Sequence, residues 1–316
     1  MTRHTVVTGG AGFVGSHLVD RLLERGDQVT AIDNLVGTQG STKNLDHVID
    51  HPRLKFVEED VVEWAEPRAL DRVDTVFHQA ASKNTVSLDD PERDLRVNGQ
   101  GTLRLLLAAS QSGVRKFVHG STGSVFGELQ ARQDESHPTR PRSFYGVSKL
   151  AGESYCRVVG QIYGLDVTVL RYYHVIGPRQ DDSDNGGVVP IFIRNCERGE
   201  PITIFGTGEQ IRSFTSVGDV VAANLIVADD PRARGEYFNC ASGIQVSIQQ
   251  LADFVKKEMG TSNHIQYADW RPGDIIKFDI VNEKLLSLGV TFETDWKQVV
   301  RGTIESRNEE GAKRSS

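Results

Sequence analysis

Three glycines, Gly9, Gly12 and Gly15, lie between a β-branched stretch at residues 5–8 and an amphipathic stretch. Small residues at this spacing let a strand-to-helix turn approach a pyrophosphate closely, and the amides that open the helix face its negative charge. Asp33 ends the next predicted strand about 20 residues further on, where a carboxylate can accept hydrogen bonds from ribose hydroxyls. The chain therefore begins with the pattern of a dinucleotide-binding βαβ unit.

Asp33 also distinguishes between two related dinucleotides. A carboxylate at this position would repel the 2′-phosphate of NADP, so the sequence favours NAD. The alternative is that Asp33, together with Asn34, only caps the turn after the strand.

The order of elements predicts an α/β fold with a doubly wound, Rossmann-like parallel sheet. Nearly continuous apolar strands separated by helices are typical of a parallel sheet that is covered on both faces. Ligands of such sheets bind at the C-terminal ends of the strands. The predicted strands are 5–8, 28–33, 54–58, 73–78, 116–120 and 166–172, and the predicted helices are 12–25, 96–112 and 144–163.

A change in composition after residue 172 predicts a second lobe. Glycine, proline and aspartate cluster at 177–187 and at 206–208, as in loops. A helical pattern at 219–228 and a strand at 237–240 would then return the chain to the sheet. We expect an NAD-binding domain at 1–172 plus 214–241, a smaller α/β substrate-binding lobe at 173–213 plus 242–316, and a frayed tail from 307.

Composition excludes several classes of protein. The net charge of −7 argues against a general nucleic-acid binder, and no apolar run approaches the roughly 18 residues that a membrane span needs. The three cysteines have no paired spacing, so neither a disulfide framework nor a zinc site is indicated. The strand-like start leaves no room for a signal peptide. We therefore expect a cytoplasmic protein with no metal, membrane or nucleic-acid partner.

A second motif, Tyr145-Gly-Val-Ser-Lys149, lies in the helical pattern at 144–163. Its tyrosine and lysine are four residues apart and therefore share one face of the helix. A nearby ammonium and an oxidised nicotinamide would lower the tyrosine pKa from its free value near 10. Tyr145 could then take a proton from a sugar hydroxyl while the carbon beneath gives hydride to NAD. For an isolated motif, the alternative is an exposed helical tyrosine.

Together and in this order, the two motifs resemble those of the extended short-chain dehydrogenase/reductases, the nucleotide-sugar epimerases and dehydratases. The resemblance places a third catalytic hydroxyl, beside Tyr145 and Lys149, at Thr122 in Ser121-Thr-Gly-Ser-Val-Phe-Gly127. It also makes Ser124 a second sugar contact. Related 4,6-dehydratases carry an Asp-Glu pair where this chain has Gly123-Ser124, and related UDP-glucuronate decarboxylases carry a glutamate at Ser124. Both chemistries are therefore disfavoured.

The same resemblance implies a set of cofactor contacts. An aspartate after the third strand, in Glu59-Asp60-Val61, would lie against the adenine, and the alanines of His78-Gln-Ala-Ala81 would pass beneath the cofactor. We expect His78 itself to be structural. The implied NAD contacts are Gly9, Gly12, Phe13, Val14, Gly15, Asp33, Asn34, Asp60, Val61, Ala80, Ala81, Asn98, Tyr145, Lys149 and Tyr172.

Two arginines, Arg212 and Arg271, match family positions that converge on a substrate diphosphate. Arginine forms bidentate, charge-assisted hydrogen bonds to such groups. For either arginine alone, the alternative is a surface ion pair of little value. The implied substrate contacts are Lys83, Thr122, Ser124, Tyr145, His174, Val188, Arg212 and Arg271, and a nucleoside-diphosphate sugar is the best substrate class.

Two departures from the family pattern concern the substrate. His174 replaces an asparagine that normally helps to hold the diphosphate, and a protonated histidine would add charge and pH dependence there. Asp181, Asp182 and Asp184 occupy the stretch where glucuronate 4-epimerases carry an Arg-Pro segment that grips a carboxylate. A negatively charged sugar is therefore disfavoured.

The resemblance as a whole implies an NAD-dependent 4-epimerase of a UDP-hexose or UDP-N-acetylhexosamine, which works through a transient 4-keto sugar. It also implies a homodimer formed by the helices around 97–112 and 144–163. The alternatives within the family are a UDP-glucuronate 4-epimerase or decarboxylase, a 4,6-dehydratase and a 4-ketoreductase. The alternative outside enzymes is a catalytically silent NAD-binding protein, which would keep its biological activity in Tyr145→Phe.

Overall fold

The computed structural model describes residues 2–128, 132–184, 186–270, 276–277 and 279–315, with side chains to residue 309. The strands are β1 (His4–Thr8), β2 (Gln28–Asp33), β3 (Leu54–Glu58), β4 (Thr75–His78), β5 (Lys116–Thr122), β6 (Asp166–Tyr172), β7 (Val175–Ile176), β8 (Ile202–Phe205), β9 (Ile211–Arg212), β10 (Thr215–Ser216), β11 (Tyr237–Cys240), β12 (Val246–Ser247) and β13 (Ile265–Ala268). The α-helices are α1 (Phe13–Arg25), α2 (Val61–Trp64), α3 (Asn84–Asp89), α4 (Pro91–Leu95), α5 (Thr102–Gln111), α6 (Phe144–Tyr163), α7 (Val188–Arg198), α8 (Val217–Asp229), α9 (Ile248–Glu258), α10 (Glu283–Leu286) and α11 (Trp296–Ser315).

Seven parallel strands form the central sheet in the order β3-β2-β1-β4-β5-β6-β11. The strand order reverses between β1 and β4, and a crevice opens at the C-terminal ends of the strands at such a point. The predicted doubly wound α/β fold is therefore confirmed. β11 joins the sheet beside β6, so the chain returns to the sheet after its excursion, as expected.

Apolar side chains cover both faces of the sheet. α1 and α8 pack on one face, with Leu18, Leu22 and Val221 among the buried residues. α5 and α6 pack on the other face, where Leu105 and Val159 are buried. The catalytic helix predicted at 144–163 has the bounds that we expected, because Ser143 caps its first turn and Gly164 adopts a left-handed conformation at its end.

The helix predicted at 96–112 is interrupted. Residues Arg96–Gly101 form a π-helical turn, which joins α4 to α5. Such turns occur mostly as single insertions in α-helices and often at functional sites. Here the turn carries Asn98, whose side chain is buried beneath α6.

A third apolar cluster lies outside the sheet and unites α7, α9 and α11 through residues such as Phe192, Leu251 and Val300. The division into two lobes at the boundaries given above stays a prediction. We expected a frayed tail from residue 307. This prediction is wrong, because α11 continues to Ser315 and the Arg307 side chain bonds to Glu197. Within the described residues, no helix combines the length and the apolar character that crossing a membrane would require.

Candidate active site

The glycine turn is built for close approach of its backbone to other groups. Gly9 has a φ of 67°, and its α-carbon lies so close to Ala80 that a Cβ would stand 2.7 Å from the Ala80 nitrogen. A Cβ on Gly15 would overlap the carbonyl oxygen of Gly9. α1 begins directly after Gly12. The turn therefore leaves its opening amides uncovered by side chains, which fits the cradle that a pyrophosphate needs.

Asp33, at the end of β2, organises this turn. Its carboxylate accepts hydrogen bonds from the amides of Ala11 (3.1 Å) and Leu35 (2.8 Å). Burial raises the Asp33 pKa, while these amides act in the opposite direction. The bond to Leu35 is the turn cap that we considered as an alternative. The bond to Ala11 ties Asp33 to the glycine turn, so the two roles are compatible.

The residues next to Asp33 extend this edge of the site. The Asn34 side chain donates to the Asp60 carboxylate at 3.3 Å, and Asp60 also caps α2. Val61 is a buried core residue. Asn44, which we did not predict, donates to the Ala11 carbonyl at 2.9 Å and so supports the glycine turn from the following loop.

The remaining expected cofactor residues have different surroundings. Phe13 and Val14 are partly buried at the start of α1, the Ala80 amide donates to the Thr8 hydroxyl at 3.2 Å, and Ala81 is exposed. The Tyr172 hydroxyl lies in a buried network with Gln79 and Asn224, at 3.1 Å from an oxygen of each. His78 bonds to the hydroxyls of Thr8 and Thr102, which is the structural role that we expected of it.

Thr122, Ser124 and Tyr145 meet where β5 ends and α6 begins. The Thr122 hydroxyl lies 3.2 Å from that of Ser124 and forms a side-chain hydrogen bond with Tyr145. α6 packs so tightly against this loop that a Cβ on Gly146 would stand 2.8 Å from the Ser124 carbonyl oxygen. The structure therefore brings together the hydroxyl groups that the sequence predicted to act on the substrate.

Lys149 is buried one helical turn after Tyr145. Its ammonium donates to the Gly120 carbonyl at 2.6 Å. Burial lowers the Lys149 pKa to about 8, against the opposing charges of Glu153 and Asp94. The Lys149 pKa therefore lies close to neutral pH, whereas that of a free lysine lies far above it.

Burial raises the pKa of Tyr145 to about 12, although its bond to Thr122 favours the phenolate. We expected a lowered value, and the difference arises because desolvation of the phenol outweighs its neighbours in the protein alone. The residues of the site do not, by themselves, make the phenol a base at neutral pH. The positive charge of an oxidised nicotinamide would favour the phenolate.

Glu153, which sequence reasoning missed, anchors the catalytic helix to the sheet. Its carboxylate accepts from Ser121 on β5 at 2.6 Å and from Arg171 on β6 at 2.9 and 2.8 Å. All three residues are buried. Ser121 therefore has the structural role that we expected, and the signal for Glu153 was its position four residues after Lys149.

The Asn98 side chain links three neighbouring segments of the chain by hydrogen bonds. Its side-chain oxygen accepts from the Ser82 amide at 2.9 Å, and its side-chain nitrogen lies 2.9 Å from Asp94 and 3.0 Å from Ser148. These bonds engage both ends of the amide. The structure thus gives Asn98 a supporting role in the wall of the site, and its contact with the cofactor stays a prediction.

The substrate side is centred on His174 and Arg212. Arg212 is buried and His174 is partly buried, and His174 has a φ of 37°, which is uncommon for a residue with a side chain. Burial and the Arg212 charge hold the pKa of His174 well below its usual value. The lowered pKa favours a neutral imidazole in the protein alone, whereas the added charge and pH dependence that we considered would require a protonated one.

Three further substrate residues were predicted. Val188 begins α7 and is partly buried. Lys83, at the start of α3, forms an ion pair with Asp181 from the loop after β7. This pair, between residues 98 positions apart, joins the edge of the sheet to the acidic loop. Arg271 lies outside the described residues.

Comparison with known proteins places these features in a family. Residues 5–241 match the model of the NAD dependent epimerase/dehydratase family. The chain belongs to this family. A UDP-glucose 4-epimerase of Mycolicibacterium smegmatis is 36% identical over 285 residues, which cover 89% of this chain and 90% of that protein.

Two solved structures are similar to this family member over nearly its whole length. The UDP-N-acetylglucosamine 4-epimerase of Methanobrevibacter ruminantium M1, in complex with UDP-N-acetylmuramic acid, has a TM-score of 0.92 and 32% identity and covers 98% of this chain and 99% of its own. The UDP-glucuronic acid 4-epimerase of Bacillus cereus, with UDP-glucuronic acid and NAD, has a TM-score of 0.92 and 28% identity and covers 97% and 99%. The cofactor of the family is NAD, and the glycine turn described above fits it.

Proposed function

We propose that this protein is an NAD-dependent UDP-sugar 4-epimerase whose substrate is a neutral UDP-hexose or UDP-N-acetylhexosamine. The observation that carries the proposal is the meeting of Thr122, Tyr145 and Lys149 beside a loop, Gly123-Ser124, that has no carboxylate. This set of groups can move a proton to and from a sugar hydroxyl. It offers no acid–base pair for eliminating water.

Each catalytic residue has a distinct task in this proposal. Thr122 holds the reacting oxygen beside the Tyr145 phenol, which removes the proton of the C4 hydroxyl. Lys149 fixes its charge near the phenol through the Gly120 carbonyl. Bound NAD supplies a reversible acceptor for the C4 hydride. Tyr145 returns the proton after the sugar has turned its other face, so one residue serves as base and then as acid.

The dimensions of the loop oppose dehydration. A Cβ on Gly123 would overlap the ring of Tyr173, which is buried and whose hydroxyl lies 3.1 Å from the Asn239 side-chain oxygen. An aspartate at position 123, as in the related dehydratases, would therefore require Tyr173 to move. Glycine at this position is a packing requirement of this chain as well as a difference in sequence.

Charge favours a neutral sugar over a uronate. Lys83 is a cation at the sheet edge, but Asp181 pairs with it, and Ser183 fixes the same carboxylate. Asp182 and Asp184 follow on the same loop, where they contact Arg307 and Arg194. A sugar carboxylate would have to compete with these acidic groups for their cations.

The test is to incubate the purified protein with catalytic NAD and, separately, UDP-N-acetylglucosamine, UDP-glucose and UDP-glucuronate. Proton NMR would follow the anomeric signals of each. We expect a C4 epimer of one neutral sugar at constant total UDP-sugar, and no epimer with Tyr145→Phe. A 4-keto, deoxy or pentose product would contradict the proposal, as would epimerisation of UDP-glucuronate alone.

Tyr155→Phe is the matched control, because this tyrosine lies on the same helix but is 37% exposed on its outer side. It should epimerise at the wild-type rate. A protein that binds NAD and turns over none of the three sugars would contradict the assigned substrates. If Tyr145→Phe also kept full biological activity, the silent NAD-binding protein would become the better explanation.

We also propose a homodimer formed through the outer face of α6. Phe144, Val147 and Ile162 are 56%, 54% and 67% exposed on this helix, and Leu95 is exposed at the end of neighbouring α4. These apolar side chains form one face that is exposed in the single chain, as expected of a surface that a second subunit covers. Ile162→Glu should give a monomer by light scattering, whereas Ile276→Glu, at an exposed site elsewhere, should not. A monomeric wild-type protein would contradict this proposal.

A further inference from the structure

Asp94 is a buried carboxylate whose purpose the catalytic groups do not explain. It lies at the end of α4, is fully buried and has no lysine or arginine as an ion-pair partner among the described residues. Removing a carboxylate from water is costly unless other groups stabilise its charge. Burial accordingly raises the Asp94 pKa, while its bond to Ser148 acts in the opposite direction.

Two hydrogen bonds connect Asp94 to the wall of the active site. The Ser148 hydroxyl donates to one carboxylate oxygen and lies 3.0 Å from the Tyr145 carbonyl oxygen. The Asn98 side chain donates to the other oxygen at 2.9 Å. Ser148 lies between the two catalytic residues of α6, and the π-helical turn places Asn98 against it. Asp94 therefore touches the catalytic helix between Tyr145 and Lys149.

We propose that Asp94 is a positioning residue, whose buried carboxylate holds Ser148 and Asn98 and places a negative charge beside the Tyr145–Lys149 pair. This inference rests on the proposed function, because it assigns the carboxylate a part in the proton transfer of that site. Asp94 acts through Tyr145 and Lys149 and needs no contact with substrate.

The other titratable side chains around the pair carry little net charge. Burial lowers the pKa values of His78 and His119, so both imidazoles are neutral, and burial raises the pKa of the Cys156 thiol. The carboxylate of Glu153 is balanced by its two bonds to Arg171. Within the described residues, Asp94 forms no such ion pair with an arginine, and the cation that its charge faces is the Lys149 ammonium itself.

The sign of its effect is the same for both catalytic residues. A nearby negative charge opposes formation of the Tyr145 phenolate and favours the Lys149 ammonium, so Asp94 raises both pKa values. Removing the charge should therefore shift both limbs of the pH–rate profile to lower pH. A residue with a merely structural role would lower the rate or the stability and leave the limbs in place.

The experiment compares the wild type with Asp94→Asn, which keeps the shape and removes the charge. Phenolate absorbance of the NAD-loaded protein, minus that of NAD-loaded Tyr145→Phe, reports the ionisation of Tyr145 directly. We expect the Asp94→Asn midpoint to lie about half a pH unit or more below that of the wild type. This titration needs no sugar, so it can succeed or fail independently of the epimerase assignment.

Two matched variants separate charge from packing. Ser148→Ala removes a hydrogen bond and retains the Asp94 charge, and Asp90→Asn removes an exposed carboxylate that caps the same helix. Both should titrate Tyr145 at the wild-type pH. Should Asp94→Asn lose its helical circular-dichroism signal, Asp94→Ser makes the same change of charge with a smaller side chain. An unchanged or raised midpoint in a folded Asp94 variant would overturn the proposal.

Discussion

The catalytic half of the site, formed by the end of β5 and by α6, is built differently from the substrate half, formed by residues 174–187 and Arg212. In the catalytic half, Thr122 ends β5 and both Tyr145 and Lys149 lie on α6, and buried bonds from Glu153 and Lys149 fix the helix to the sheet. In the substrate half, His174 lies in a loop and Arg212 ends the two-residue strand β9, and both His174 and Arg179 have positive φ. In the proposed reaction, proton transfer rests on the rigid half, whereas recognition rests on the half that sequence change can reshape most readily.

The largest expected effect is loss of the base in the rigid half. Tyr145→Phe removes one hydroxyl, and kcat should fall about 10³-fold, the usual size for a positioned general base. NAD affinity, measured by fluorescence titration, should fall far less than kcat, because Tyr145 is one of many expected NAD contacts and the glycine turn is untouched. A variant that retained a tenth of the wild-type kcat would break the division between the two halves.

The substrate half should respond in affinity. We expect Arg212→Gln to raise KM about 10- to 100-fold with little change in kcat, since a charge-assisted bond to the diphosphate is lost in ground and transition states alike. Initial rates across a range of UDP-sugar concentrations would measure both constants. Arg198→Gln removes a charge from an exposed site on α7 and should leave KM unaltered. A fall in kcat alone for Arg212→Gln would assign this arginine to the chemistry instead.

Acid should weaken the rigid half through its buried histidines. His78 has its pKa lowered by burial to about 3, and that of His119 is also well below 6.5. As the pH falls, the two histidines are therefore protonated in the unfolded chain before they are protonated in the folded protein. Stability is lost as the pH falls below the histidine pKa of the unfolded chain. His78 should cost about 2 kcal/mol of unfolding free energy at about pH 5, and His119 should act in the same direction.

Chemical denaturation at neutral and acid pH would measure this loss. Among the residues that the structure describes, none forms a hydrogen bond with either ring nitrogen of His119, so His119→Leu should unfold with a smaller acid dependence than the wild type. His264→Leu, at an exposed position, serves as the control and should retain the full dependence. Equal acid dependence in all three proteins would show that the buried imidazoles do not limit stability.

The smallest expected effect concerns His174. Because its imidazole is neutral, the ratio of KM between His174→Asn and the wild type should stay constant from about pH 6 to about pH 8, where an ordinary histidine changes charge. The measurement is the same kinetic analysis at several pH values. A ratio that changes with a midpoint in this range would mean that His174 gains a proton when substrate is bound.

The sequence predicted the rigid half better than the substrate half, for a physical reason. The helical period is a local signal, and it placed α6 at its observed bounds, where Ser143 caps the first turn and Gly164 ends the last. The Tyr145–Lys149 spacing is equally local. The π-helical turn at 96–101 was not predicted, because an apolar period cannot reveal one inserted residue in a helix.

What the sequence missed depends on long-range contact and burial. The Lys83–Asp181 pair joins residues far apart in sequence, and no local pattern indicates it. The raised pKa of Tyr145 follows from desolvation, which only the packed structure determines. Asp94 and Glu153 did carry a signal, since each stands four residues from a residue that we had identified, Asn98 and Lys149 respectively.

The anchoring of α6 has a mechanical consequence for the proposed reaction. With Glu153 fixed to β5 and β6, and Lys149 fixed to Gly120, the base has no room to travel from one face of a sugar to the other. The pivot must therefore lie in the ligand, in the bonds between sugar and diphosphate. A sugar too bulky to turn in place would still be oxidised, but the hydride would return to the face of the sugar that it had left. The original sugar would be regenerated and no epimer would form.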